Sequence, residues 1–159
     1  MRKLAAETAL EKCVVAYEML EDEGDETKWS IIWIGAMALI RSVGETLDKT
    51  DGRNEDGLRN SLGLVQEPFF REHWKSDPMF TDFIKGERDM VVHSSSSTVS
   101  KQESISLVVL TGKEQFKITP DLFRPIVSGY FFNEDARDVY EMAINWWSDQ
   151  IKRLKVELI

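Results

Sequence analysis

Trp29-Ser-Ile-Ile-Trp-Ile-Gly-Ala-Met-Ala-Leu-Ile-Arg-Ser-Val-Gly-Glu-Thr-Leu47 is the stretch on which the fold turns. At about 100° per residue, Trp29, Ile32, Trp33, Ala36, Ile40, Val43 and Leu47 share one stripe of a helix running from about Trp29 to Asp48. Ile31, Ile34 and Ala38 form a second apolar face on the far side, continued by Arg41 and Glu45. A helix that is apolar on two faces is covered on two faces. Its second cover must be another internal helix or another subunit, and a subunit is the expectation.

Working outward, Leu10, Cys13, Val14, Tyr17 and Leu20 recur at helical spacing over about 3–22, and Gly24 ends that run. Downstream, 52–63 is rich in Gly, Asn and Asp and reads as loop or broken helix, and a short helix is expected over Val65 to Lys75. Asp77-Pro78 is a helix start, an acidic N-cap followed by proline at the first helical position. That helix should run to His93, where Ser94–Ser97 breaks the pattern. Ile105-Ser-Leu-Val-Val-Leu110 reads as a strand, Thr111-Gly112-Lys113 as a turn, and Phe116-Lys-Ile-Thr as the partner strand. An extended piece is expected near Tyr130-Phe131-Phe132. The last helix carries Tyr140, Ala143, Ile144, Trp147, Ile151, Leu154 and Leu158 on one stripe, with Asn133 as its expected N-cap. The fold class is therefore mainly α, a single domain over 1–159. It is a bundle of four to five helices with a small antiparallel β insertion at about 98–132 before the last helix.

The bulk properties bound the function. The chain has 42% apolar and 30% charged residues, ordinary for a soluble globular domain. Its single cysteine, Cys13, lies in a helical pattern and reads as a small buried apolar residue, which suits a reducing compartment. The greasiest run, Ile31 to Ile40, is short for a bilayer span before Arg41 interrupts it, and no signal-peptide pattern opens the chain. A cytoplasmic protein with no membrane partner is expected. The net charge of −8 argues against a broad phosphate-tracking surface, so any nucleic-acid contact must be local. The acidic excess is concentrated in Glu18-Met-Leu-Glu-Asp-Glu-Gly-Asp-Glu26, which reads as a solvated helix end and loop.

Against this scaffold, Arg88-Asp-Met-Val-Val-His93 stands out, holding one of only two histidines. Histidine is the residue type that exchanges protons near neutral pH, and arginine is the type that grips phosphate. On an ideal helix Arg88 lies about 100° to one side of the apolar face of Phe80, Phe83, Ile84, Met90 and Val91, and His93 about 120° to the other. An unbroken helix therefore keeps the pair apart. If they converge on one phosphate, the helix must end near His93 or a second copy must complete the site. Glu87 falls at the centre of the apolar stripe and needs a partner or a wet groove, and Arg41 is a candidate partner under either account. A purely structural role is the competing account: Arg88 pairing with a neighbouring acid such as Glu87, and His93 as a cation at a helix C-terminus.

The combination of an Arg-x4-His motif (Arg88 to His93), an acidic residue directly after the arginine (Asp89) and a Pro-started aromatic helix resembles the HEPN superfamily of helical bundles. The resemblance covers 1–93 and 133–159 in architecture and 88–93 in motif, and the 98–132 stretch departs from the minimal bundle. It implies a metal-independent endoribonuclease working as a homodimer, with two motifs lining one cleft, RNA as substrate and no cofactor or metal. His93 would be the general acid or base, Arg88 the phosphate and transition-state stabiliser, and Asp89 the residue that orients one of them. Cleavage would leave a 2′,3′-cyclic phosphate. It further implies a toxin or phage-defence component whose partner is a nucleotidyltransferase-type antitoxin. The alternative from another class is a non-catalytic HEPN-like module that binds a ligand or a partner protein. Other candidates are weaker: His73 lacks ligand spacing, the glycines form no phosphate loop, and Trp146-Trp147 reads as core or interface.

Overall fold

The buried stripe of the central helix has an aromatic end. Trp29 and Trp33 stack with centroids 5.2 Å apart and planes 13° apart. Trp33 in turn meets Phe83 and Tyr140, each at 6.0 Å. These residues belong to three helices, and the fold is the arrangement that brings them together. A computed structural model describes residues 3–51, 74–93, 97–100, 107–108, 117–118 and 123–157.

Among the described residues the chain is mainly α, with five helices. They are α1 (Ala5–Asp22), α2 (Glu26–Lys49), α3 (Met79–Glu87, wound as a π-helix), α4 (Arg88–His93) and α5 (Ala136–Glu157). Residues 74–76 add one helical turn, while the rest of the short helix expected over 65–75, and His73, lie outside the described residues. α2 packs against all four other helices. It is long and apolar enough to cross a bilayer by composition, with mean hydropathy 1.3 over its most apolar window. Its stripe of Trp29, Trp33, Ala36, Ile40, Val43 and Leu47 is buried in the core, where burying each large side chain contributes roughly 1.5–3 kcal/mol.

α2 starts three residues before the aromatic stripe, because Asp25 is its N-cap and accepts from the Lys28 N–H at 2.9 Å. At the other end Asp51, 3% exposed, reaches back to α1. Its carboxylate accepts from the Ala5 N–H at 2.8 Å and the Ala6 N–H at 3.0 Å. One side chain after α2 thus caps the helix before it. Asp51→Ala should cost about 1–2 kcal/mol, the upper range for a lost cap. A denaturant midpoint unchanged from wild type would show that water caps α1 equally well.

α2 and α5 meet at a glycine. A Cβ at Gly44 would lie 2.7 Å from Cη2 and 3.0 Å from Cζ2 of the fully buried Trp147. Gly44→Ala gains about 1 kcal/mol in helix propensity but overpacks a ring with nowhere to go, which typically costs 1–3 kcal/mol. The expected net result is a lower melting temperature, and a raised one would mean that the helices can separate freely. Across the same interface the Tyr140 hydroxyl donates to the Ala36 carbonyl at 2.9 Å. Cys13 is buried as expected, and burial pushes its thiol up to about 11.

Asp77 starts α3 as the sequence suggests. It accepts from the Met79 N–H at 2.9 Å, and its other oxygen takes the Trp146 indole N–H at 2.8 Å. The winding that follows is π rather than α, with hydrogen bonds reaching one residue further back. Gly86 suits it, since a Cβ there would sit 3.0 Å from the Thr81 carbonyl oxygen.

Two expectations near the last helix are corrected. Tyr130-Phe131-Phe132 is not extended: 128–133 is a turn, with Gly129 and Asn133 at positive φ (88° and 72°), Phe131 buried, and Tyr130 and Phe132 exposed. Asn133 is not the N-cap. That role belongs to Asp135, whose side chain accepts from the Arg137 N–H at 2.9 Å, from the Arg137 guanidinium and from the Arg124 N–H. An aspartate two residues later that can also neutralise a buried arginine wins over an asparagine held in the turn.

Leu107–Val108 pairs antiparallel with Lys117–Ile118, and the remainder of 101–122, with most of the expected β insertion, lies outside the described residues. The extended segment 123–127 threads between 97–100 and 133–136. Val127 N–H donates to Thr98, Ser100 N–H to Pro125, and Ala136 N–H to Arg124. That threading is what fixes Arg124.

Candidate functional site

α4 is a short α-helix whose last residue is His93. The Arg88 Nη1 lies 3.5 Å from His93 Nε2 in the same chain. Ideal geometry places the two side chains far apart, yet no break in the helix separates them. A long arginine side chain spans the angle, since the histidine is the last residue of α4. Nη1 also donates to Asp89 Oδ1 at 2.8 Å. Asp89 therefore orients the arginine and not the histidine, and all three predicted residues come together. Arg88 and Asp89 are partly exposed and His93 is exposed. The site is a wet surface at a helix end, able to hold an anion at the guanidinium with an imidazole beside it.

Two expected pairings are corrected. Arg88 pairs with a neighbouring acid, as the structural account expects, but that acid is Asp89 and not Glu87. Arg41 does not reach Glu87 either, its guanidinium lying 5.3 Å from the centroid of the Phe80 ring. Glu87 is 2% exposed and is satisfied by neutral donors alone among the described residues. Trp33 Nε1–H reaches Oε1 at 3.1 Å, the Ser97 hydroxyl binds the same oxygen, and the Thr98 N–H and hydroxyl reach Oε2 at 3.1 and 2.7 Å. Four donors can stabilise a buried carboxylate without a cation. The position faces inward as the stripe requires, and three of the four donors come from the segment that follows the helix. Ser97, read only as a helix breaker, is thus one of the groups that pins the chain below α4.

Beside the motif, Ile31, Ile34 and Val92 are exposed, as is Ala38. The second face of α2 therefore finds no cover among the described residues. The aromatic pair Trp146-Trp147 is no open base platform: Trp147 is fully buried and Trp146 is partly buried with its N–H on Asp77.

Sequence reasoning missed Arg124 and Glu26. Arg124 is 2% exposed, its Nη1 donates to both oxygens of Glu26 at 3.0 and 2.9 Å, and its guanidinium lies 4.1 Å from the Trp29 ring centroid. The available signal was a lone arginine inside the apolar run Leu122-Phe-Arg-Pro-Ile-Val127, since a charge in such a run must find a partner. No group of His, Cys, Asp and Glu suited to a metal occurs among the described residues. Comparisons with protein-family models, curated proteins and solved structures find no match for this chain.

Proposed function

We propose that the chain is a HEPN-like, metal-independent endoribonuclease acting as a homodimer, with the Arg88–His93 end of α4 as its catalytic surface. The observation that carries this is the 3.5 Å approach of Arg88 Nη1 to His93 Nε2 at an exposed helix end, with Asp89 holding the arginine. A phosphate seated on Arg88 would bring the adjacent 2′-hydroxyl within reach of His93. His93 would take the hydroxyl proton as the 2′-oxygen attacks phosphorus. Arg88 would offset the charge that builds on the phosphoryl oxygens. The 5′-oxygen then departs and needs a proton, which a second copy of the motif would supply. The uncovered Ile31, Ile34 and Ala38 face, next to a motif that needs a second copy, supports the dimer. A role as a toxin or phage-defence component, restrained by a nucleotidyltransferase-type antitoxin, belongs to the same proposal.

The test is cleavage of a mixed RNA pool in EDTA, with end-group analysis. The wild-type chain should leave 2′,3′-cyclic phosphate ends, and His93→Ala should not. Equal cleavage by both would assign the activity to a contaminant and remove the proposal. A second reading, a non-catalytic module that binds a ligand or partner protein, is favoured by the net charge of −8. An inactive wild-type chain in the same assay would select it.

A further inference from the structure

A second site lies on the other side of Val91. A cavity of about 360 Å³ opens between the first turns of α2, α4 and the segment 97–100, and Arg124 lines it. Its volume is that of a small-molecule site, for which roughly 300–1,000 Å³ is usual. Arg88, Asp89 and His93 take no part in its lining.

The guanidinium of Arg124 is held in a fixed plane and is only half used. Trp29 lies under it at 4.1 Å and Glu26 takes Nη1 alone. The Nε and Nη2 donors meet no acceptor among the described residues, and neither is sealed from solvent-accessible space. That edge is one of the two on which a guanidinium binds a carboxylate through two parallel hydrogen bonds. The rest of the wall is mostly apolar, from Trp33, Ile34, Val91 and Val99, with serine hydroxyls at Ser30 and Ser100. The Nε–Nη2 edge opens on the cavity, where a ligand can take the place of water.

We propose that this cavity binds a small organic acid, its carboxylate on the Nε–Nη2 edge of Arg124 and its apolar body against Trp33, Ile34, Val91 and Val99. Two observations narrow the class. Glu26 already shares the charge of Arg124, so a monoanion meets less repulsion from that carboxylate than a phosphate dianion does. Trp29 already carries Arg124 at 4.1 Å and stacks on Trp33 at 5.2 Å, so its indole is committed within the fold and is a poor platform for a nucleobase. The site is independent of whether the Arg88–His93 end cleaves RNA.

The test is calorimetric titration of the full chain with 2-naphthoate, with 2-naphthamide and 2-naphthyl phosphate as companion probes. The naphthoate should bind saturably, and the neutral amide and the dianion each about tenfold or more weaker, the scale of one charge-assisted bidentate contact. Arg124→Lys keeps the charge but loses the fork, and should weaken naphthoate to a similar degree. Where that variant does not fold, Ser30→Trp decides, because Ser30 is exposed at the mouth and a bulky side chain there should abolish binding. Absence of saturable binding to wild type, amide binding as tight as the acid, or unchanged affinity in Ser30→Trp would each overturn the site. Tighter binding of the phosphate would overturn the monoanion class.

Discussion

Glu87→Ala should destabilise the chain by about 2–4 kcal/mol, because neutral donors lose the carboxylate they share. Four donors converge on this carboxylate: the Trp33 indole, the Ser97 hydroxyl, and the Thr98 backbone and hydroxyl. Alanine leaves them all without an acceptor. A fully buried unsatisfied donor costs about 1–3 kcal/mol, but Ser97 and Thr98 lie near the surface and water will recover part of the loss. Glu87→Gln is the informative companion. An amide keeps one accepting oxygen and turns two N–H groups toward donors, so the loss should be intermediate. Urea denaturation followed by tryptophan fluorescence reads both. A Glu87→Ala variant as stable as wild type would mean that the four contacts contribute nothing net. The variant should also loosen 97–100, since among the described residues no other side chain of α3 ties that segment as strongly.

His93→Ala should lower the single-turnover rate of RNA cleavage about 10²–10⁴-fold, the usual contribution of a positioned acid or base. Arg88→Lys tests the other half. Lysine keeps the charge but cannot hold Asp89, His93 and a phosphate in one plane, and a fall of about 10²–10³-fold is expected. Both residues sit at the surface, so neither variant should alter the melting temperature greatly. That separates a chemical loss from unfolding. A wild-type rate in His93→Ala would end the ribonuclease proposal even if RNA still bound.

The helical skeleton was legible because periodicity is local. The stripes of α2 and α5, the Asp77-Pro78 start and the inward position of Glu87 all follow from spacing over a few residues. What failed was non-local. Asp51 caps a helix 45 and 46 residues away, and the donors to Glu87 arrive from a segment whose path no pattern encodes. Arg41 was a plausible partner for Glu87 by charge, yet the neutral donors of Trp33, Ser97 and Thr98 occupy both its oxygens. The candidate site was legible as a set of residues but not as a geometry. Ideal angles separated Arg88 from His93, and a flexible side chain at a helix end brought them to 3.5 Å. Arg124 was overlooked because its meaning depends on Trp29 and Glu26, far away in the chain.

The π-wound stretch before the motif sets its bearing on the molecule. A wider coil turns less per residue, so over Met79–Glu87 the chain falls steadily behind the phase of an ordinary helix. Arg88 therefore leaves the core on a heading fixed by those nine residues and not by its own neighbours. Adding or removing one residue there would swing the arginine and histidine around the axis like a hand on a dial, with every motif letter intact. Two chains with identical Arg-x4-His spellings could thus aim the motif in different directions, the coil upstream setting which.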